Sequence, residues 1–405
     1  MASWSNGISD RDEPVPPRAG LTDRSVLASI IGECINPGAS RRDREVEPLD
    51  RSVFAKLAAT GILGASLPHA IGGGGADWHR WGQDLRELAY LADELSLPFT
   101  ISIQQSIAKQ LLRSGRPELI HRYVPPMIRG ECFGSFCWSE GSDPFSFQTT
   151  VALERDGCVL SGQKGPISVG VWADFFLVYA RDPVREDVVV VVVERSDPGV
   201  SIERCTPMGL RSSGQATLRF DHVTVPSRRV LVASDGIGHG QLFLNERRIS
   251  LACMALGKLE ALFEGMVANL AARRRHRLPV TEMQAVQASL GRFWAALEAI
   301  RAMIDRMLRH VSRDQENSAD STWDPTVAVT KYFVLEQMLA MLGMAQHLLG
   351  GSWYYDDEPF GRWMRDLQGF IPAAGTQGIL EVDLGTWATA IPQTYSSAAH
   401  STLTE

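Results

Sequence analysis

Three stretches towards the C-terminal end, 241–271, 281–311 and 326–349, carry apolar residues at helical spacing with few breakers inside them. Each predicts a helix of about 25 to 30 residues, roughly 40 Å long at ~1.5 Å per residue. A helix of that length cannot bury its own apolar stripe. Short links between such helices make neighbours antiparallel, so the chain is expected to close a four-helix bundle.

The rest of the chain has two other textures. From 24 to about 128, Leu and Ile recur three and four apart, as in Leu57, Ile62, Leu63 and Leu67, or Leu85, Leu88, Leu91 and Leu95, with Asp50 as an N-cap. Gly72 to Gly75 lacks the Lys-Ser/Thr ending of a phosphate loop and reads as a plain break between helices. From 130 to about 232, Val, Thr, Phe and Tyr become frequent and turns recur. Segments 149–154 and 158–161 read as a hairpin through Arg155-Asp156-Gly157. Segments 175–180 and 188–193 are apolar strands, the second an unbroken run of valine and therefore covered on both faces. Helices, then strands, then long helices make an α+β layout and not a βαβ repeat. The expected organisation is a disordered arm (1–22), an N-terminal helical domain (23–128), a middle antiparallel β domain (129–235), a C-terminal helical bundle (236–391) and a frayed tail (392–405).

Composition excludes several partners. The net charge of −7 argues against nucleic acid. The six cysteines are scattered with no CxxC pair, which gives neither a zinc site nor a disulfide frame. No uninterrupted apolar run of eighteen residues predicts a membrane span, and the polar N-terminus lacks a secretory apolar core. A reducing cytoplasm is the expected compartment.

A set of short motifs then occurs in one order. Ser139-Glu140-Gly141-Ser142-Asp143 is similar to T-E-x-x-x-x-S-D, shortened by three residues. Leu160-Ser161-Gly162-Gln163-Lys164 with Ile167-Ser168 resembles L-N-G-x-K-x-W-I-T/S. Pro207-Met208-Gly209-Leu210-Arg211 with Phe220, Val223, Val225 and Pro226 resembles K-M-G-x-R…F-x-x-V-x-V-P. Arg248-Ile249, Arg273…Pro279-Val280, Met283-Gln284-Ala285-Val286-Gln287, Leu349-Gly350-Gly351, Met364-Arg365-Asp366 and Gly375-Thr376 continue the series. Over roughly residues 25 to 390 the chain thus resembles the acyl-CoA dehydrogenases.

The resemblance implies bound FAD between the β domain and the bundle. It places Trp138, Ser139, Ser142, Ile167, Ser168 and Thr376 beside the flavin. It places Arg273 (or Arg274, one residue on), Gln284, His347, Gly350 and Gly351 against the FAD of a neighbouring subunit, where a guanidinium suits a pyrophosphate. A shared cofactor implies a homo-oligomer, a dimer or tetramer. The substrate implied is an acyl thioester on CoA or a carrier protein, or a keto acid derived from one. Five positions depart from the family pattern: His276-Arg277 replaces Phe-Gly, Pro166 stands where a Trp often packs on the flavin, His347 replaces a Gln, and Trp138 is larger than usual.

The largest departure concerns the base. The resemblance implies a glutamate in a segment like I-Y-E-G-T, but the matching residues are Pro372-Ala373-Ala374-Gly375-Thr376, with Ala374 at the glutamate's place. The alternative position on the first long helix is Arg247, which is protonated at any relevant pH. Three readings stay open. Another group has taken over, with Glu246 nearest, although one step on a helix turns it about 100° away; Glu140, Asp366, His239 and His347 are weaker candidates. Or the substrate loses CO₂ and leaves its own electron pair, with Arg247 holding a substrate carboxylate or phosphate; an oxygen-using monooxygenase or decarboxylating oxidase of natural-product tailoring belongs here. Or the chain is a non-catalytic subunit of a mixed oligomer.

Overall fold

The computed structural model describes residues 24–141, 146–314, 325–355 and 358–390. The expected arm and tail, and Ser142 and Asp143, lie outside these residues.

Six helices open the fold: α1 (Arg24–Ile30), α2 (Ala39–Glu45), α3 (Ser52–Ala58), α4 (Trp78–Leu91), α5 (Ser96–Arg113) and α6 (Pro117–Ile128). Asp50 does its capping one residue earlier than a strict N-cap. Arg51 holds the cap position of α3, while the Asp50 carboxylate accepts from the Ser52 amide at 2.9 Å. α4 has a standard cap, Asp77, which accepts from the Arg80 amide at 2.8 Å.

α5 is buried on nearly its whole circumference although it contains Gln104, Gln105 and Gln110. Two of these are matched to backbone elsewhere. Gln104 exchanges two hydrogen bonds with the peptide of Gly134 (2.9 and 2.8 Å), and Gln105 donates to Ile62 O at 2.9 Å. A buried polar side chain is tolerated when its hydrogen bonds are made, so α5 can run through the middle of the molecule.

Eight strands follow: β1 (Gly134–Cys137), β2 (Thr150–Glu154), β3 (Gly157–Ile167), β4 (Phe175–Asp182), β5 (Asp187–Glu194), β6 (Val200–Arg204), β7 (Ala216–Pro226) and β8 (Val230–Val232). They form one sheet in the order β6-β7-β3-β2-β4-β5-β8, mostly antiparallel, with β1 joining β4 in parallel. The hairpin is tighter than the sequence indicates: Glu154 pairs with Gly157, so the turn is Arg155-Asp156 and Gly157 already belongs to β3. Every valine from Val188 to Val193 is buried, as an unbroken apolar strand requires.

The bundle consists of α7 (Gly236–Ala272), α8 (Gln284–Asp314) and α9 (Pro325–Leu349), with α10 (Phe360–Gln368) on α7 and α11 (Gln377–Ala390) against α9. α7 begins five residues before the periodic stretch at 241, because Asp235 accepts from the Gly238 amide and starts the helix there. The buried stripe of α8, Phe293, Leu297, Ile300, Ile304, Met307 and Val311, alternates steps of three and four. α9 is long and apolar enough for a membrane span by length and composition, but here it packs against α7, α8 and α11. α4 of the first domain lies directly on α7. A Cβ at Gly257 would stand 2.0 Å from Arg86 O, so glycine is what lets the two helices meet.

Candidate functional site

A cavity of about 720 Å³ opens where the sheet, α5 and α7 meet the turn before α11. Three pieces of chain supply its polar edge: Ser139 after β1, Ser168 after β3, and Thr376 before α11. α7 contributes Gln241, Leu244 and Arg248, three and four apart, with Arg247 beside them. α5 contributes Phe99 and Ile103, which make the inner wall apolar.

The wall at Trp138 is fixed from behind. Lys164, fully buried on β3, donates to Trp138 O at 3.0 Å and pairs with Glu140 at 2.9 Å. Glu140 also accepts from Thr149 Oγ1 at 2.5 Å and from the Gln148 amide. These donors hold the Glu140 carboxylate in its charged form, and burial pushes the Lys164 amine down to about 8. The indole lies parallel to Phe136 at 6.0 Å, and Phe136 stacks on Phe243 at 3.6 Å. A Cβ on Gly240 would sit 2.1 Å from the indole, so Trp138 occupies space that only glycine leaves. Trp138 therefore both lines the cavity and fills the core beside it.

The opposite wall is the turn that lacks the glutamate. Its backbone is held by two buried cations. Lys331 Nζ donates to Ala373 O at 2.6 Å and also to Gly375 O. Arg248 Nε donates to Ala374 O at 3.0 Å, and its Nη1 to Asn245 Oδ1 at 3.0 Å. Three consecutive carbonyls are thereby satisfied, and Ala374 is kept in the left-handed region at φ 56°. Burial pushes the Lys331 amine down to about 7. Neither Lys331 nor the role of Arg248 was legible beforehand. A lysine amid the apolar periodicity of α9 was the one available signal.

Of the candidate replacement bases only Glu140, already paired with Lys164, lines the cavity; the others face elsewhere. Glu246 is 3% exposed, pairs with Arg113 and does not line the cavity, which corrects its place among the catalytic candidates. The helical turn away from Arg247 carries it to Arg113, the last residue of α5. Asp366 accepts from the amides of Leu95 (2.9 Å) and Leu210 (2.6 Å) and ties two domains together; burial pushes it up to about 6. His239 sits between Tyr179 Oη (2.9 Å from Nδ1) and Gln110 O (3.3 Å from Nε2). A carbonyl can only accept, so Nε2 carries the proton, and burial lowers the ring to about 4. Arg247, by contrast with Glu246, Asp366 and His239, enters the cavity wall.

The remaining predicted residues form a second group outside the cavity. Arg273 caps α7 and donates to Leu348 O (3.3 Å) and Leu349 O (3.2 Å), beside Gly350. His347 and Gly351 belong to the same turn region, and Gln284 opens α8. All five are exposed, and none lines the cavity.

A helical domain, a sheet and a long-helix bundle that meet at one cavity, apolar inside and hydroxyl-edged at the sheet, define a flavoprotein of the acyl-CoA dehydrogenase fold. The chain matches acyl-CoA dehydrogenase N-terminal, middle and C-terminal domains over residues 24–131, 136–223 and 234–388. It is 28% identical over 368 residues to benzylmalonyl-CoA dehydrogenase of Aromatoleum aromaticum, covering 89% of this chain and 95% of that one. It is 28% identical over 380 residues to a short/branched chain specific acyl-CoA dehydrogenase of Rattus norvegicus, covering 90% and 85%. It superimposes on glutaryl-CoA dehydrogenase of Mycobacterium smegmatis in complex with FADH2 with a TM-score of 0.83 at 21% identity, covering 91% and 93%. The chain belongs to the acyl-CoA dehydrogenase family, and its cofactor is FAD. The residues present fit that group: hydroxyls edge an apolar slot of suitable volume, and Gln241 Oε1 in the wall is buried with no hydrogen-bond partner.

Proposed function

We propose that this protein is an FAD-dependent oxidoreductase for acyl thioesters that carry a carboxylate on Cα, which they lose as CO₂ while the Cα–Cβ bond is oxidised. Ala374 carries this reading. The turn that presents it is firmly held, yet it offers no proton acceptor, and the only carboxylate in the cavity wall, among the described residues, is Glu140, already locked to Lys164. A carboxylate on Cα removes the need for a base. When its bond to Cα breaks, CO₂ departs and the electron pair stays on Cα as the thioester enolate. FAD held by Ser139, Ser168 and Thr376 would supply the acceptor for the hydride leaving Cβ, which makes the product the α,β-unsaturated thioester. Phe99, Ile103 and Leu244 keep water from the reacting carbons, which favours conversion of a charged group into neutral CO₂. A malonyl-type thioester, as in the name of the bacterial relative, has the required carboxylate.

The hydroxyls of Ser139, Ser168 and Thr376 would hold the flavin. Arg273, with Gln284, His347, Gly350 and Gly351, would meet the FAD of a second copy in a homo-oligomer. Their exposure supports this reading, since none has a partner role within its own cavity. Arg273→Ala should then weaken FAD retention on gel filtration with helix content unchanged; full retention would remove the residue from the cofactor site.

The central test mixes FAD-loaded protein, without oxygen, with benzylmalonyl-CoA or with its decarboxylated homologue 3-phenylpropionyl-CoA. Flavin bleaching and CO₂ release are expected with the first, at a rate about a hundredfold or more above the second, the scale on which a general base contributes. Equal bleaching by both would restore a relocated base. Bleaching by neither would favour a silent subunit, and product hydroxylation on adding oxygen a monooxygenase.

A further inference from the structure

Arg247 is a buried cation without an anion. Its residue is 4% exposed and forms part of the cavity wall. Nη1 donates to Ser102 Oγ at 2.6 Å, and the guanidinium carbon lies 4.9 Å from the centre of the Phe99 ring. Nη2 is buried and makes no hydrogen bond. No carboxylate stands within ion-pair distance of Arg247 among the described residues; Glu246, next in sequence, is turned to Arg113. Burial pushes the guanidinium down to about 9, against the partly opposing charge of Glu246. A desolvated, uncompensated charge is costly to keep. Serine and phenylalanine fix its plane but do not neutralise it.

Two parts of the cavity lining are complementary in what they lack. The turn at Ala374 has room where a carboxylate would stand, and α7 has a cation with nothing to bind. We infer that Arg247 recognises the Cα carboxylate of the acyl thioester, so that a carboxylate of the substrate takes the place of the carboxylate missing from the protein. This rests on the substrate class proposed above. With Nη1 tied to Ser102, Nη2 remains to donate to the incoming oxygen, which fixes the direction of the C–COO⁻ bond. Loss of CO₂ removes the anion and with it the attachment to Arg247, so the neutral acyl product is released more readily than the substrate.

The assignment is tested by binding, apart from turnover. The probe is 2-sulfopropionyl-CoA, whose sulfonate is a fixed anion on Cα that cannot leave as CO₂, compared with propionyl-CoA. Both are titrated calorimetrically into FAD-loaded protein. A hydrogen bond to a charged group predicts about a tenfold to hundredfold preference for the sulfonate. Arg247→Met should abolish the preference, raise the melting temperature by removing an unpaired buried charge, and retain FAD. Arg247→Lys should keep part of the preference, since charge remains but the planar fork is lost. A wild-type protein with no preference, or a preference that survives Arg247→Met, overturns the assignment. If the sulfonate preference depends on Arg247 but benzylmalonyl-CoA is never decarboxylated, the anion site stands and the proposed reaction falls. If decarboxylation proceeds and the preference is independent of Arg247, the reaction stands and this assignment falls.

Discussion

Ala374→Glu is expected to let 3-phenylpropionyl-CoA bleach the flavin about 10² to 10⁴ times faster than the native chain does, the range a positioned general base supplies. Position 374 is suited to this because its backbone is already fixed. Lys331 and Arg248 hold the carbonyls on either side of it and its own, and Ala374 already occupies the left-handed region, so a longer side chain adds little backbone strain. The new carboxylate would enter the cavity that Arg247 also lines, and that charge would keep it ionised. It would also compete with a carboxylate on the substrate, so turnover of benzylmalonyl-CoA should fall in the same variant. Anaerobic stopped-flow absorbance reads both effects. A variant with bound FAD and native helix content that still does not react with 3-phenylpropionyl-CoA would mean that Cα does not face residue 374.

Lys164→Met should cost about 3 to 5 kcal/mol, the usual consequence of leaving one member of a buried ion pair behind. Lys164 is wholly inaccessible, and the Glu140 side chain is 3% exposed. The substitution leaves the carboxylate with the Thr149 hydroxyl and the Gln148 amide, but without a counter-charge. It also frees Trp138 O, so this wall of the cavity should loosen and, with the flavin proposed to lie there, FAD should dissociate more easily. An exposed pair such as Arg129–Glu131 should by contrast cost little when broken, since water screens it. Urea unfolding measures both; a loss below about 1 kcal/mol for Lys164→Met would show that water reaches this pair.

Much of the architecture was legible in the amino-acid order. The three long helices, the valine strand, the hairpin and the succession of domains follow from periods of 3.6 and 2 and from turn residues, which act over a few neighbours at a time. The absence of a carboxylate at residue 374 was likewise readable, because a short motif carries its own register. What the sequence could not assign was partnership across the fold. Glu246 and Arg247 are adjacent in the chain, yet one turns to Arg113 on α5 and the other into the cavity, and that choice depends on how α7 is rotated against α5. Lys331 looks like an interruption in an apolar helix until the turn 42 residues later brings Ala373 O to its amine. Gln104 and Lys164 have the same history: each is buried because a backbone group or carboxylate from another segment arrives to satisfy it. Local propensity determines which element a residue joins and which face is apolar. Whether a buried charge is paired, clamped to a carbonyl or left waiting for an anion is decided only when distant segments pack, since the desolvation that makes the difference does not exist before then.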